Sequence, residues 1–281
     1  MNTSGSLTYV YAVTHRTGLL DDALATLHGI GQAPLRLLCP TADTTDPVPS
    51  TPLASLAFVA SDVPEQDFNE TALKNHFEDL QWLEHVARTH HDVVQAVAAR
   101  AAVLPLRMAT VYQDDHRARQ ALSAQQDVFT QRLDQLRAHT EYGVKIYLAP
   151  DATQPPPAAT APPATSPGKA YLQARRAQRH SRDAVYQQAE LAAEAIEAIA
   201  SRHATQRVRH APQRGELTGP EENVLNDAYL IPDDQAGQFQ AAVADAARGF
   251  PDLRIEVTGP WAPYSFAMPA PGPADAPEPP S

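Results

Sequence analysis

The first hydrophobic run of the chain, Leu7 to Val13 (LTYVYAV), is β-branched and aromatic, and Leu35 to Cys39 and Leu53 to Ala60 are similar short apolar runs bounded by Pro, Asp and Ser. Each reads as a strand, with a short helix expected from Asp21 to Leu27. From Thr71 the period lengthens. Leu73, Phe77, Leu80, Leu83, Ala87, His90, Val94 and Val97 recur at intervals of three and four, which places them on one face of a single long helix. That helix is expected to close a first α+β domain, residues 1–100.

Val103 to Val111 then reads as a strand, and Asp114 to His139 as a helix with Leu122, Gln126, Phe129, Leu133 and Leu136 on one stripe. Gly143 to Ala149 alternates, with Val144, Ile146 and Leu148 on one face and Lys145 and Tyr147 on the other. A second strand, helix and strand follow: Val224 to Ile231, then Asp233 to Ala247 with Asp233 or Asp234 available as the cap, then the alternating Leu253, Ile255 and Val257. Two such units back to back predict a modified ferredoxin-like (split βαβ) fold for a second domain, 101–268, and an α+β class for the whole chain. Residues 151–222 are then an insertion at the central hairpin. It opens with Asp151 to Pro167, where six prolines among Ala and Thr predict an extended linker. It continues as a long helix from Lys169 to about His203, in which Val185, Ala189, Ala192, Ile196 and Ile199 form a narrow seam suited to one neighbouring helix. The tail, 269–281, carries six prolines and is expected to be disordered.

Composition narrows the function. With 281 residues and 43% hydrophobic side chains the chain can bury a sizeable core, and the lone Cys39 excludes an internal disulfide framework and any multi-Cys metal cage. No run approaches the length of a membrane helix, and Met1 to Leu7 lacks the pattern of a leader peptide, so a cytoplasmic protein without a membrane partner is expected. The net charge of −11 argues against nucleic acid as the main partner, because phosphate neutralisation needs clustered Lys and Arg. One stretch departs from this balance. Residues 168–210 hold 8 basic and 4 acidic side chains, net +4, which leaves −15 elsewhere. Within it Arg175, Arg179 and Arg182 share a helical face, with Arg176 beside them, and this face is either solvated or a docking surface for carboxylates.

Catalytic and metal signatures are weak. Glu84, His85, His90 and His91 lie close together, but no two His stand at i, i+4, and His90 sits on the apolar stripe as a core residue would, with His91 expected in solvent. Cys39 reads as a buried inert thiol. No hydrolase elbow, phosphate loop or dinucleotide fingerprint is present, and Gly29 and Gly31 read as suppliers of positive φ at a turn. An enzymatic or small-molecule site would need Arg107, Lys145 and His90 to converge. The segment Thr258 to Phe266 (TGPWAPYSF) concentrates Trp261, Tyr264 and Phe266 between prolines that forbid a helix. It is expected either to fold back over the core or to present an aromatic contact surface.

These blocks carry a resemblance. TYVYAV (Thr8 to Val13), VLPLRMATVY (Val103 to Tyr112), EYGVK (Glu141 to Lys145), SPGKAYL (Ser166 to Leu172), NDAYL (Asn226 to Leu230) and TGPWAPYSF occur in the order found in the gas vesicle protein F and L family, which the chain resembles over most of its length. It departs from the family pattern at Met108, Ala109 and Thr110 (usually Phe-Gly-Thr), at Tyr142 (usually Trp) and at Ala262 (usually Pro). Of these, Ala109 lacks the freedom at positive φ that Gly has. The resemblance implies a two-domain α+β protein with a ferredoxin-like second domain. It also implies a non-enzymatic accessory role without cofactor or metal in gas vesicle assembly, associated with gas vesicles. The implied partners are the small hydrophobic major shell protein and other accessory proteins. The residues expected to touch a partner are Arg175, Arg176, Arg179, Arg182, Trp261, Tyr264 and Phe266, and the alternative is a scaffold that meets only accessory proteins through the long helix.

Overall fold

The aromatic and β-branched run at the N-terminus forms β1, Ser6–His15, and every residue of it from Thr8 to Thr14 is buried. A strand buried on both faces is a central one, and β1 pairs antiparallel along its length with β3, Leu56–Pro64. The short β2, Arg36–Leu38, edges β3; β4, Val103–Pro105, and β5, Val111–Tyr112, both pair with β1. In this computed structural model the described residues are 5–40, 55–76, 78–148, 167–212 and 221–267. The expected linker, apart from Pro167, and the expected tail lie outside them.

Helices cover this first sheet. α1, Gly18–Leu24, is capped by the Thr17 hydroxyl, and α2, Glu65–Phe68, and α3, Glu70–His76, precede α4, Leu80–Ala98. The single helix expected from Thr71 is thus broken. The Asp79 carboxylate accepts the N–H groups of Gln81 and Trp82 and restarts the helix, a capping position within the apolar period. Val86, His90, Val93, Val94 and Val97 are the buried stripe of α4, and Leu80 and Ala87 face outward. The next expected helix is likewise two, α5, Asp115–Ala124, and α6, Gln126–Leu136, which bury Leu122, Phe129, Leu133 and Leu136 but leave Gln126 exposed at the break. The expected strand from Val103 to Val111 is interrupted by a turn in which Ala109 takes φ 63°.

The second sheet is built from β6, His139–Leu148, β7, Gln206–Arg209, β8, Glu222–Pro232, and β9, Leu253–Trp261, with α7, Pro167–His203, between β6 and β7 and α8, Ala236–Ala247, between β8 and β9. Strand order is β7-β8-β6-β9, with β6 antiparallel to β8 and β7 antiparallel to β8. Val185, Ala189, Ala192, Ile196 and Ile199 of α7 bury against Val144, Ile146, Tyr229, Phe239 and Val243 in one core. Two expectations change here. The long helix is no insertion, because its seam packs on the sheet as well as on α8. Neither Asp233 nor Asp234 caps α8, whose N-terminal flank is Gln235; Asp233 accepts a bond from the Thr140 hydroxyl instead.

The chain divides into two compact units, the first from Met1–Ala138 and Trp261–Ser281, the second from His139–Pro260. The boundary expected at residue 100 therefore shifts. The strand at Val103 joins the first unit because Val103, Leu104 and Pro105 pair with Thr14, Val13 and Ala12 of β1.

Candidate interaction surfaces

Among the described side chains of α7 the first buried one is Val185; before it, Leu172, Arg175, Arg176, Arg179, His180 and Arg182 are all exposed. Arg182 is held within the second unit: it donates to Tyr186 Oη at 3.2 Å and lies 3.8 Å from Glu222, while Tyr186 Oη donates to Glu222 at 2.8 Å. Arg176 and Arg179 make no ion pair with a described residue.

The aromatic C-terminal segment is anchored in the first unit. Phe266 is 3% exposed and Ala262 is 1% exposed, and the Ala262 N–H donates to the Gln95 side chain on α4. Phe266 is therefore corrected from a contact residue to a core anchor, since a side chain so buried reaches no partner. Trp261 and Tyr264, 39% and 36% exposed, keep an outward surface. Both pack on His91, with ring centroids 5.5 and 5.9 Å away, so His91 is not simply solvated. Beneath them His90 is buried as expected, its Nδ1 2.9 Å from Tyr9 Oη, and burial pulls its pKa down to about 4. Cys39 is half-buried rather than buried, with its Sγ 3.7 Å from the Ser55 hydroxyl. Arg107 and His90 belong to the first unit and Lys145 to the second.

Period alone did not disclose a groove in the second unit. β9 is an edge strand, and between it and α8 lies a cavity of about 570 Å³ lined by Tyr142, Gly237, Ala241, Ala244, Ile255 and Val257 among others. Among the described residues no charged side chain lines it. The small residues of α8 recur at four and three, so the helix stands off the strand without side chains to fill the gap.

Two ionic clusters were also missed. Arg36 donates to Asp115 through Nε at 3.1 Å and through Nη2 at 2.7 Å, and to Asp62 at 2.6 Å; Thr8 Oγ1 donates to Asp115 at 2.8 Å. The Arg36 guanidinium holds the Asp115 carboxyl below the usual carboxylate range. In the second unit the Asp227 side chain has no exposure and accepts from Arg207 at 2.6 Å and Arg209 at 3.3 Å, while Tyr229 Oη donates to it at 3.2 Å. Asp227 lies in the NDAYL block, and an acid between strand-forming residues was the available signal. Both clusters are internally matched and read as structural.

Comparison with known proteins agrees in sequence and in fold. Residues 7–268 match the family described as "Gas vesicle synthesis protein GvpL/GvpF". Gas vesicle protein L of Streptomyces sp. (strain CB03234) is 40% identical over 266 residues, covering 93% of this chain and 92% of that protein. Gas vesicle protein F of the same strain is 27% identical over 241 residues, 80% of this chain and 89% of that protein. The crystal structure of GvpF from Anabaena sp. PCC7120 superposes with a TM-score of 0.60 at 17% identity, over 94% of this chain and 97% of that one. That of GvpF from Microcystis aeruginosa does so with 0.58 at 16%, over 93% and 99%. The mixed helix and antiparallel-sheet fold is shared.

Proposed function

The chain belongs to the gas vesicle GvpL/GvpF family, and from that premise we propose that it is a non-catalytic accessory protein that holds the small hydrophobic shell protein during gas vesicle assembly. A subunit with apolar strands aggregates edge to edge if it waits unprotected. The observation that supports a holding role is the edge position of β9 among the described strands, beside the uncharged groove. An added strand gains main-chain hydrogen bonds along β9 and sets alternate apolar side chains between Ile255, Val257 and the small face of α8. We read the second unit as a ferredoxin-like domain, supported by its β-α-β-β-α-β order and the strand order β7-β8-β6-β9. On this reading the protein is cytoplasmic and associated with gas vesicles. Trp261, Tyr264 and the Arg175 to Arg182 face are additional contact residues.

A co-expression pull-down with the major shell protein tests this. Wild type captures it, and the double variant Ala241→Glu, Ala244→Glu, which places charge on exposed groove positions without disturbing the core, loses capture at least about tenfold. Capture unchanged by the charges would remove the groove from the account. No capture by wild type would favour the second reading, a scaffold for other accessory proteins, which the exposed Arg face of α7 supports.

A further inference from the structure

A polar helix gains little stability from packing where its side chains are exposed, and among the described side chains of α7 before Val185 all but Ser181 are exposed, with Arg182 tied to Glu222 by an ion pair. It is further burdened by its own charge. Arg175 and Arg179 stand at i, i+4, and Arg179 stands at i, i+3 from both Arg176 and Arg182, so like charges face each other along it. A surface of opposite sign laid against this face removes that repulsion.

Such a surface exists on the same chain. Between Glu65 and Glu78 the sequence carries Glu65, Asp67, Glu70 and Glu78 against the single base Lys74, which is already paired with Glu70 at 2.8 Å. Glu65, Glu70 and Glu78 are exposed. α3, Glu70–His76, and the Arg175 to Arg182 run are of comparable length, roughly 11 and 12 Å at the rise of an α-helix. We propose that the basic face of α7 docks on the acidic α2–α3 surface of a second copy of this chain, giving a salt-sensitive self-association. It is separate from the groove contact proposed above, which involves no charged side chain among the described residues.

Sedimentation velocity on the full chain tests it, with a mutual-rescue design. The basic-face variant is Arg175→Glu, Arg176→Glu, Arg179→Glu, and the acidic-face variant is Glu65→Lys, Glu70→Lys, Glu78→Lys. All six positions are exposed, and circular dichroism checks that both variants fold. In about 50 mM salt, wild type gains mass above the monomer as concentration rises, and about 0.5 M salt reverses this through screening. Each variant alone stays monomeric. An equimolar mixture of the two associates, because each then finds its complement on the other. A wild type that is monomeric at all concentrations overturns the proposal, as intramolecular docking or solvation of the face would give. So does a mixture that fails to associate, or an acidic-face variant that associates as wild type does. Shell capture by the acidic-face variant, whose three positions lie outside the groove and outside the other proposed shell-contact residues, is expected to be intact, which keeps a failure here distinct from a failure of the groove.

Discussion

At Ala109 the backbone takes φ 63°, a conformation that costs a residue with a Cβ about 1 kcal/mol, while its N–H donates to Tyr9 Oη at 3.0 Å. The bond to a buried tyrosine holds the turn in place despite the strain. Ala109→Gly relieves it, and denaturant unfolding should show a gain of about 1 kcal/mol, reduced by the extra freedom glycine gives the unfolded chain. A loss of stability would mean that the methyl group packs usefully. The other residue-scale prediction concerns His90, whose folded pKa of about 4 lies below its ordinary 6.5. Between those values the unfolded chain binds the proton and the folded chain does not, so stability is full above pH 6.5 and falls as pH drops toward 4. The slope approaches about 1.4 kcal/mol per pH unit in that window. His90→Gln keeps an acceptor for Tyr9 and carries no proton, so urea unfolding from pH 7.5 to 4.5 should show a shallower decline. Parallel profiles for the two proteins would show that His90 does not titrate there.

Elements are held by pairings that differ in how much they matter. The Asp227 side chain is fully buried on β8, and Arg207 on β7 meets it with two nitrogens while also pairing with Glu197 at 2.9 Å. Arg209 is 65% exposed and makes one longer contact. Arg207→Leu leaves a buried carboxylate largely uncompensated and should cost about 3 kcal/mol in thermal or urea unfolding, while Arg209→Leu should cost less than about 1 kcal/mol. Equal losses would mean that Arg209 carries more of the charge balance than its exposure implies. This scale also marks what could be read from the residues beforehand. Periodicity and residue type identified β1, β3, β6, β8, α7 and α8 as elements and the buried seam of α7, because element type is a local property; Tyr147, on the face of β6 opposite Val144, is buried as well. Periodicity could not decide whether Val103 to Pro105 opens a second domain or pairs with β1, since strand partners are set by contacts distant in sequence. For the same reason α7 read as an insertion, although its seam from Val185 to Ile199 was correctly placed. The break before α4 was legible in Asp79, a capping residue overridden by an unbroken apolar period. In the candidate surfaces, the Arg face of α7 and Trp261 were visible as charge and aromaticity. The β9 groove was not, because it arises from the distance between a strand and a helix.

For the whole molecule the consequence is a first unit closed by the far end of the chain. After β9 the chain supplies Ala262, Phe266 and Ala267 to the first unit, with the Ala262 N–H bonded to Gln95. Ala262 sits in a core otherwise made by residues more than a hundred positions earlier, with Phe266 and Ala267 buried close after it in sequence, so the C-terminal segment is part of the first unit's interior. A chain ending at Pro260 removes that segment and keeps every strand of the second sheet up to its last residue. Losing a buried phenylalanine and its neighbours should cost the first unit about 3 kcal/mol or more. Hydrogen exchange can resolve where the loss falls: amides of β1 and α4 should exchange faster in the truncated chain, while those of β6 and β8 hold their protection. A chain ending at Ala267 is the control and should exchange like the full chain in both units. Faster exchange of β6 and β8 in the Pro260 truncation, with β1 unchanged, would place the segment's stabilising role in the second unit.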